Sequence, residues 1–332
     1  MISAKENNLK YTEQQILKMA APISKTEDEK CKNAIRMVRD AMKRLNYTDD
    51  GKEIRAYAED SFAYALDLRQ MYSDKKITIL VQGSYANKTN IPSESDVDVA
   101  VILESTFTSA YRAGVQRENY GFVKGTFSAE ELKDEVEKAL NEHFGHQGIE
   151  RHDKSIKVTG NTYRVDADVV PAYRYRDYSA DWNNNPENYV GGIEIRPDSG
   201  GRIINYPEQH IKMGVVKNKS TKFNFKKCVR IAKNMREEME KYGYTISNKI
   251  SSFGIESLFW NVDDQAYTKY PSTLRYTFDE ALTFLVGDFQ NYNTYTEANA
   301  IKPLFPDEAT KKEYQTIISD MHRFFEYDIT EH

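Results

Sequence analysis

The sequence predicts an α+β chain of two lobes, a mixed sheet with helices packed on it followed by an all-helical lobe. Three observations carry this expectation. Apolar residues recur at three- and four-residue steps over roughly the first 75 positions, give way to short β-branched runs between residues 76 and 170, and return to helical spacing beyond residue 210. At 332 residues the chain is longer than a typical single domain. The lobes are expected over residues 1–210 and 211–332, joined between 205 and 220.

The elements follow in order. TEDEKCKNAIRMVRDAMKRL reads as a helix after a Thr cap, and GKEIRAYAEDSFAYALDLRQMY reads as a second one. The period then changes: KITILVQ, Lys76 to Gln82, and DVDVAVIL, Asp96 to Leu103, are expected strands. SAEELKDEVEKALNEHF is a capped amphipathic helix ending at Phe144. KSIKV and TYRVDADVV flank Thr159-Gly160-Asn161 as two strands about a hairpin turn. From Asn183 to Pro207 the chain is rich in Asn, Pro, Gly and Asp and reads as loop. Everything beyond is expected to be helical, apart from turns at Tyr270-Pro271 and Pro303 to Pro306.

A hydrophobic content of 39% with 29% charged residues describes a soluble globular protein. MISAKENNLK has no apolar signal-peptide region and no run of about 18 apolar residues occurs, so a cytoplasmic protein without membrane spans is expected. Cys31 and Cys228 are too few for a disulfide framework or a zinc knuckle and read as structural thiols. The net charge of −5 argues against a surface that grips nucleic acid throughout. The charge is segregated, however: Lys212 to Lys249 holds eleven Lys or Arg against three Glu, a local +8 that leaves −13 elsewhere. Such segregation can build an anion site in an acidic protein.

The chemistry sits in VQGSYANKTNIPSESDVDVAVILE, Val81 to Glu104. Residues i and i+2 of a strand share a face, so Asp96 and Asp98 aim together while Val97 and Val99 face the core. Two carboxylates so placed pay desolvation and mutual repulsion unless a cation lies between them. Asp166 and Asp168 share a face of the later strand. If that strand lies beside the first, three carboxylates can surround one or two divalent cations, about 4 Å apart where two bind together. Hard oxygen ligands suit Mg²⁺ or Mn²⁺, which also bind substrate phosphates. Gly83 lets the backbone approach a phosphate and Ser84 can donate to it. Taken alone, an acidic residue near a strand end more often faces water. A P-loop reading of GSYANKT fails for want of the second glycine, and an EF-hand fails because the acids lie on an apolar strand.

The ordered set Gln82-Gly83-Ser84, Ser95-Asp96-Val97-Asp98 and Asp168-Val169-Val170-Pro171-Ala172 resembles the polymerase β-like nucleotidyltransferases. More narrowly it resembles the bacterial CD-NTases, relatives of cGAS and oligoadenylate synthetase. The resemblance covers roughly residues 60 to 265 and implies a two-lobed nucleotidyltransferase fold. It implies that Asp96, Asp98 and Asp168 hold two Mg²⁺ ions, with Mn²⁺ as a substitute, and that Gln82, Gly83 and Ser84 bind nucleotide. Asp166 has no counterpart in the family pattern.

In the helical lobe, Phe225, Cys228, Val229, Ala232, Met235 and Met239 form one stripe, while Lys226, Arg230, Lys233 and Glu237 form another. A charged stripe is ordinarily a solvated face. KISSFGIESLFWNV resembles the segment that cGAS-like enzymes place at the triphosphate and base, which implies that Lys233 and Arg230 contact the β and γ phosphates, Ser252 binds the triphosphate and Phe253 stacks on the donor base. Plain core packing is the competing reading of Phe253. INYPEQHIKMGVVKN resembles the family's inter-lobe connector, with His210 read as structural.

The resemblance further implies a cyclic di- or trinucleotide synthase that joins nucleoside triphosphates (ATP with GTP, UTP or CTP) and releases pyrophosphate for antiphage (CBASS) signalling, alongside operon-encoded effector or regulatory partners. No zinc-dependent DNA activation is expected. A linear nucleotidyltransferase acting on RNA or protein, and a catalytically silent nucleotide-binding or scaffold protein, remain alternatives.

Overall fold

The computed structural model of the protein describes residues 10–54, 61, 65–71, 73–125 and 129–326. In chain order the helices are α1 (Glu13–Met19), α2 (Lys25–Lys43), α3 (Gly83–Asn87), α4 (Ala129–Phe144) and α5 (Pro207–Ser220). Then come α6 (Phe225–Lys241), α7 (Ser252–Trp260), α8 (Asp264–Thr268), α9 (Leu274–Gly287) and α10 (Glu308–Phe325). The strands are β1 (Tyr47–Ile54), β2 (Ala65–Gln70), β3 (Lys76–Gln82), β4 (Val97–Tyr111), β5 (Ile149–Arg151), β6 (Ile156–Val158), β7 (Ala167–Tyr178), β8 (Val190–Ile195) and β9 (Ile203–Asn205). Contacts divide the described residues into two compact units, one drawn from those within 24–86 and 94–208, the other from those within 10–23, 87–93 and 209–326.

The first unit is built on a sheet of order β1-β2-β3-β4-β7-β6-β5, with β8 also on β7 and β9 on β8. Only β4 and β7 run parallel among these pairs. Parallel neighbours need a crossover, and α4 lies within it. β4 and β7 start in register, Val97 opposite Ala167 and Asp98 opposite Asp168. Helix α2 buries Cys31, Ala34, Ile35, Val38, Ala41 and Met42. Its cap is Ser24 rather than a threonine: Ser24 Oγ accepts from Glu27 N at 3.2 Å while Glu27 Oε2 accepts from Ser24 N at 2.8 Å, a reciprocal box that places Thr26 inside the first turn. Burial pushes the Cys31 thiol up to about 12, as befits a structural thiol.

Two expectations are corrected here. The second helix, over residues 51–72, is not formed: β1 and β2 lie there, and residues 55–60 and 62–64 fall outside the described set. Ala-Leu-Asp-Leu-Arg-Gln alternates, and pairing Leu66 with Ile79 and Leu68 with Ile77 buries both leucines on the apolar β3. Sheet pairing overrides the helical spacing. The stretch from Asn183 to Pro207 is likewise not all loop, since it holds the β8–β9 hairpin. Its glycines mask the strand signal, yet at Gly192 a Cβ would stand 2.8 Å from Asn205 O, so a side chain there would wedge the hairpin apart.

The helical unit has its own core. Phe225, Cys228, Val229, Ala232, Met235 and Met239 of α6 pack with residues of α7, α9 and α10 and with Tyr11, Ile16 and Ala20 from the N-terminal segment. That segment is fixed further by Glu13, whose carboxylate accepts from Leu274 N at 2.8 Å and Arg275 N at 2.9 Å and so caps α9. Among the described residues no helix is long and apolar enough to cross a membrane.

Candidate active site

The aspartates are set by strand register. β4 opens at Val97, so Asp96 stands one residue before the strand, exposed, while Asp98 is half-buried beside Asp168 on β7 and opposite Gln82 on β3. Val97 N donates to Asp166 O at 3.1 Å and locks the two strand starts together. Asp96 is held above the usual carboxylate range despite its exposure, because neighbouring atoms displace part of its water and because Asp168 and Glu94 repel its charge. Asp96, Asp98 and Asp168 thus form one acidic focus. Asp166 is turned to another purpose: its Oδ1 accepts from Gly160 N at 2.6 Å and its Oδ2 pairs with Lys157 Nζ at 2.7 Å. Burial alone would raise its pKa, yet these two partners hold it below the ordinary value.

Gly83 completes this arrangement. It adopts φ +69°, a left-handed conformation, and a Cβ there would stand 2.0 Å from Asp98 Oδ2. The carboxylate therefore lies directly against a glycine backbone, and Ser84 follows half-buried at the start of α3. Tyr85, fully packed, anchors the turn by donating to Asp28 Oδ1 on α2 at 2.8 Å.

The charged stripe of α6 is not a solvated face. Lys226, Arg230 and Lys233 are all buried, Lys233 completely. Arg230 donates to the backbone carbonyls of Ala20, at 2.7 Å, and Lys88. Glu256, also buried, accepts from Thr89 Oγ1 at 2.6 Å and pairs with His210 Nε2 at 2.8 Å. Burial pushes this carboxylate up, but His210, Lys233 and Thr89 together hold it below the ordinary range. Asn87 Nδ2 reaches the His210 ring at 3.1 Å. His210 is therefore a packed, bonded residue, and Phe253 meets its ring edge-on at a centroid distance of 4.8 Å. Ser252 opens α7 and accepts from Arg236 Nη2 at 3.0 Å. Arg236 was absent from the residues singled out in the sequence, although it lies three positions after Lys233, within reach of the same helix face.

Two family models match the chain. Residues 64–174 match the nucleotidyltransferase domain, and residues 212–326 match the cGAS/DncV-like nucleotidyltransferase C-terminal helical domain. The chain is 41% identical over 317 residues to the cyclic GMP-AMP synthase CdnE03 of Staphylococcus schleiferi, covering 96% of this chain and 97% of the relative. The protein is a bacterial CD-NTase. A second CD-NTase relative, the cyclic dipyrimidine nucleotide synthase CdnE of Cecembia lonarensis, is 37% identical over 79% of each chain. Among solved structures, the Rhodothermus marinus CdnE c-UMP-AMP synthase with Apcpp and Upnpp matches with a TM-score of 0.74 at 25% identity, covering 97% of this chain and all of that one. The Elizabethkingia meningoseptica CdnE with GTP and Apcpp matches at 0.72 and 28% identity, covering 95% and 98%.

As a CD-NTase the protein is a nucleotidyltransferase, and the family joins nucleoside triphosphates into cyclic oligonucleotides with divalent metal ions. The donor set of this chain fits such ions. Three carboxylates crowd one strand end, and Asp96 is held above the ordinary range first by lost hydration and then by the charges of Asp168 and Glu94, a repulsion that a divalent cation would relieve.

Proposed function

We propose that this CD-NTase condenses two nucleoside triphosphates into a cyclic dinucleotide, with ATP and GTP the first pair to test. The observation that carries the reading is the in-register pair Asp98 and Asp168, with Asp96 beside them and Gly83 against Asp98. Mg²⁺ held by Asp96, Asp98 and Asp168, with Mn²⁺ as substitute, would neutralise the triphosphate and acidify the attacking hydroxyl. Gly83 and Ser84 would cradle the phosphate tail, with Gln82 beside them. Asp168 would orient the acceptor hydroxyl and take its proton as the oxygen bonds to the α-phosphorus and pyrophosphate leaves. A second transfer of the same kind closes the ring.

In the helical unit, Ser252 with Arg236 is proposed to bind phosphate, and Phe253 to meet the donor base with an edge already fixed by His210. Arg230 and Lys233, buried and engaged inside that unit, are proposed as residues that hold its shape rather than as direct phosphate contacts. The choice of ATP and GTP rests on the 41% identity to a cyclic GMP-AMP synthase. A cytoplasmic signalling role in antiphage defence, read out by an operon-encoded effector, is part of the same proposal, made by analogy with the family.

Incubation with labelled ATP, GTP, CTP and UTP plus Mg²⁺ or Mn²⁺, followed by phosphatase, tests this. A small phosphatase-resistant product containing A and G is expected. Label retained on RNA or on protein would replace the reading with a linear transferase, and no consumption with any metal would reduce the protein to a nucleotide binder.

A further inference from the structure

Asp166 takes no part in the transfer proposed above, yet it stands two residues before Asp168, and its carbonyl accepts from Val97 N at 3.1 Å, between Asp96 and Asp98. Its partner across the sheet is a lysine. β6 lies between β5 and β7 and sets Lys157 directly opposite Asp168 of β7 on one side and Glu150 of β5 on the other. Directly opposed residues project to the same face with Cβ atoms about 5 Å apart, while the diagonal neighbour, two residues along, lies about 7–8 Å away. Register alone would therefore give the Lys157 ammonium to Asp168 or Glu150. It goes instead to the diagonal neighbour, where Lys157 Nζ meets Asp166 Oδ2 at 2.7 Å. That bond above all, and then the charge of Asp168 ahead of that of Glu150, holds the ammonium above its ordinary range.

The Asp166 carboxylate is fixed by the turn it closes. Its other oxygen, Oδ1, accepts from Gly160 N at 2.6 Å, and a Cβ at Gly160 would stand 2.7 Å from Asp166 N, so the two backbones approach as closely as glycine permits. Asn161 Oδ1 accepts from Tyr163 N at 2.8 Å and from Arg164 N at 3.1 Å and closes the rest of the turn. The lysine is less confined. Its side chain is 36% exposed and that of Asp166 40%, so the ammonium is kept in place by charge more than by packing. Glu150, 72% exposed and 3.5 Å from His152 Nε2, is the weaker competitor for it.

Building on the metal role proposed for Asp96, Asp98 and Asp168, and resting on it, we propose that Asp166 is a positioning residue: it draws the Lys157 ammonium off Asp168 and so keeps that carboxylate open to a divalent cation. An ammonium seated on Asp168 would meet the same oxygens as the metal and oppose its charge, so the two compete. Once the Asp166 charge is removed, Lys157 falls to the carboxylate directly across from it on β7.

Mn²⁺ titrated into the full chain without nucleotide, with free Mn²⁺ read by electron paramagnetic resonance, tests this without turnover. Asp166→Asn keeps an oxygen for Gly160 N but loses the charge, and is expected to bind Mn²⁺ about fivefold more weakly than wild type. Lys157→Met is expected to change the affinity by less than about twofold, and Asp166→Asn with Lys157→Met to return it to within about twofold of wild type. Melting curves accompany each variant, and Asp166→Ser, which also offers an oxygen near Gly160 N without the charge, is held to the same outcomes.

Wild-type affinity in Asp166→Asn would overturn the proposal. A double variant as weak as Asp166→Asn would also overturn it and leave Asp166 a turn-building residue. So would a gain in Lys157→Met as large as the loss in Asp166→Asn, the additive pattern of two distant charges. Asp98→Asn keeps the two readings apart: it is expected to abolish Mn²⁺ binding, and equal binding by Asp98→Asn and wild type, or none by wild type, would overturn the metal site itself and this inference with it.

Discussion

Gly83 and Asp98 are in such close approach that a single methyl group at position 83 would fall 2.0 Å from the Asp98 carboxylate oxygen. Gly83, which follows β3, and Asp98 of β4 are thus packed as one unit, the pair proposed above to serve phosphate and metal. In Gly83→Ala the left-handed φ of +69° adds about 1–2 kcal/mol of strain, while Asp98 escapes the clash by rotating. Activity is therefore expected to fall more than stability, by about a hundredfold. Pyrophosphate release measured beside thermal unfolding checks this, and a variant with wild-type rate would detach Gly83 from the site.

Asp96 and Asp98 are predicted to be required for product but not for folding. Asp96→Asn with Asp98→Asn should give no cyclic product and an unchanged circular dichroism spectrum. Undiminished turnover would sink the metal assignment.

The Asp96 carboxyl is raised on folding, so its cost to stability is absent below the unfolded carboxylate range, grows as the pH rises toward the folded value and is constant above it. Without metal, Asp96→Asn should therefore raise the melting temperature at pH 7, by about 1–3 °C, and leave it unchanged near pH 3.5. Added Mg²⁺ should stabilise the wild type and not the variant.

Glu256 carries the opposite sign. Its folded value is depressed, so its contribution is complete above the ordinary carboxylate range and is lost as the pH falls through that range toward the folded value. Glu256→Gln, which leaves His210 and Lys233 beside an uncharged amide, should cost roughly 3 kcal/mol at neutral pH. Urea unfolding at pH 7 and pH 4 should show that difference shrinking in acid.

Arg230 and Ser252 separate structure from binding. Arg230→Met should lower the melting temperature with little change in KM for ATP, since its guanidinium serves the Ala20 and Lys88 carbonyls. Ser252→Ala should raise KM about tenfold at unchanged stability. The reverse pattern would return Arg230 to the phosphates.

What the sequence made legible depended on how local the determining forces are. β3 and β4 with their acids, the apolar stripe of α6 and the amphipathic α2 and α4 each announce themselves by period. Residues 51–72 did not, because Leu66 and Leu68 suit a helix face as well as a strand face until β3 offers them Ile79 and Ile77. The setting of Lys233 was not legible either: a charge at helical spacing on α6 is solvated by default, and only the fold supplies the buried Glu256 beside it. Gly83 could be flagged as a turn glycine, but its closeness to Asp98 is a matter of register between strands.

β7 is shared along one edge, by β6 over Ala167–Val169 and by β8 over Tyr173–Asp177, and residues 170–172 between them pair with neither. Pro171, which has no N–H to offer, occupies that gap. The consequence is modularity. The front of the strand, which bears Asp168, and its rear, which bears the β8–β9 hairpin, can drift independently in sequence, because β4 holds the whole length of β7 from the other side. A lineage can rewrite its rear hairpin without disturbing the spacing of its carboxylates.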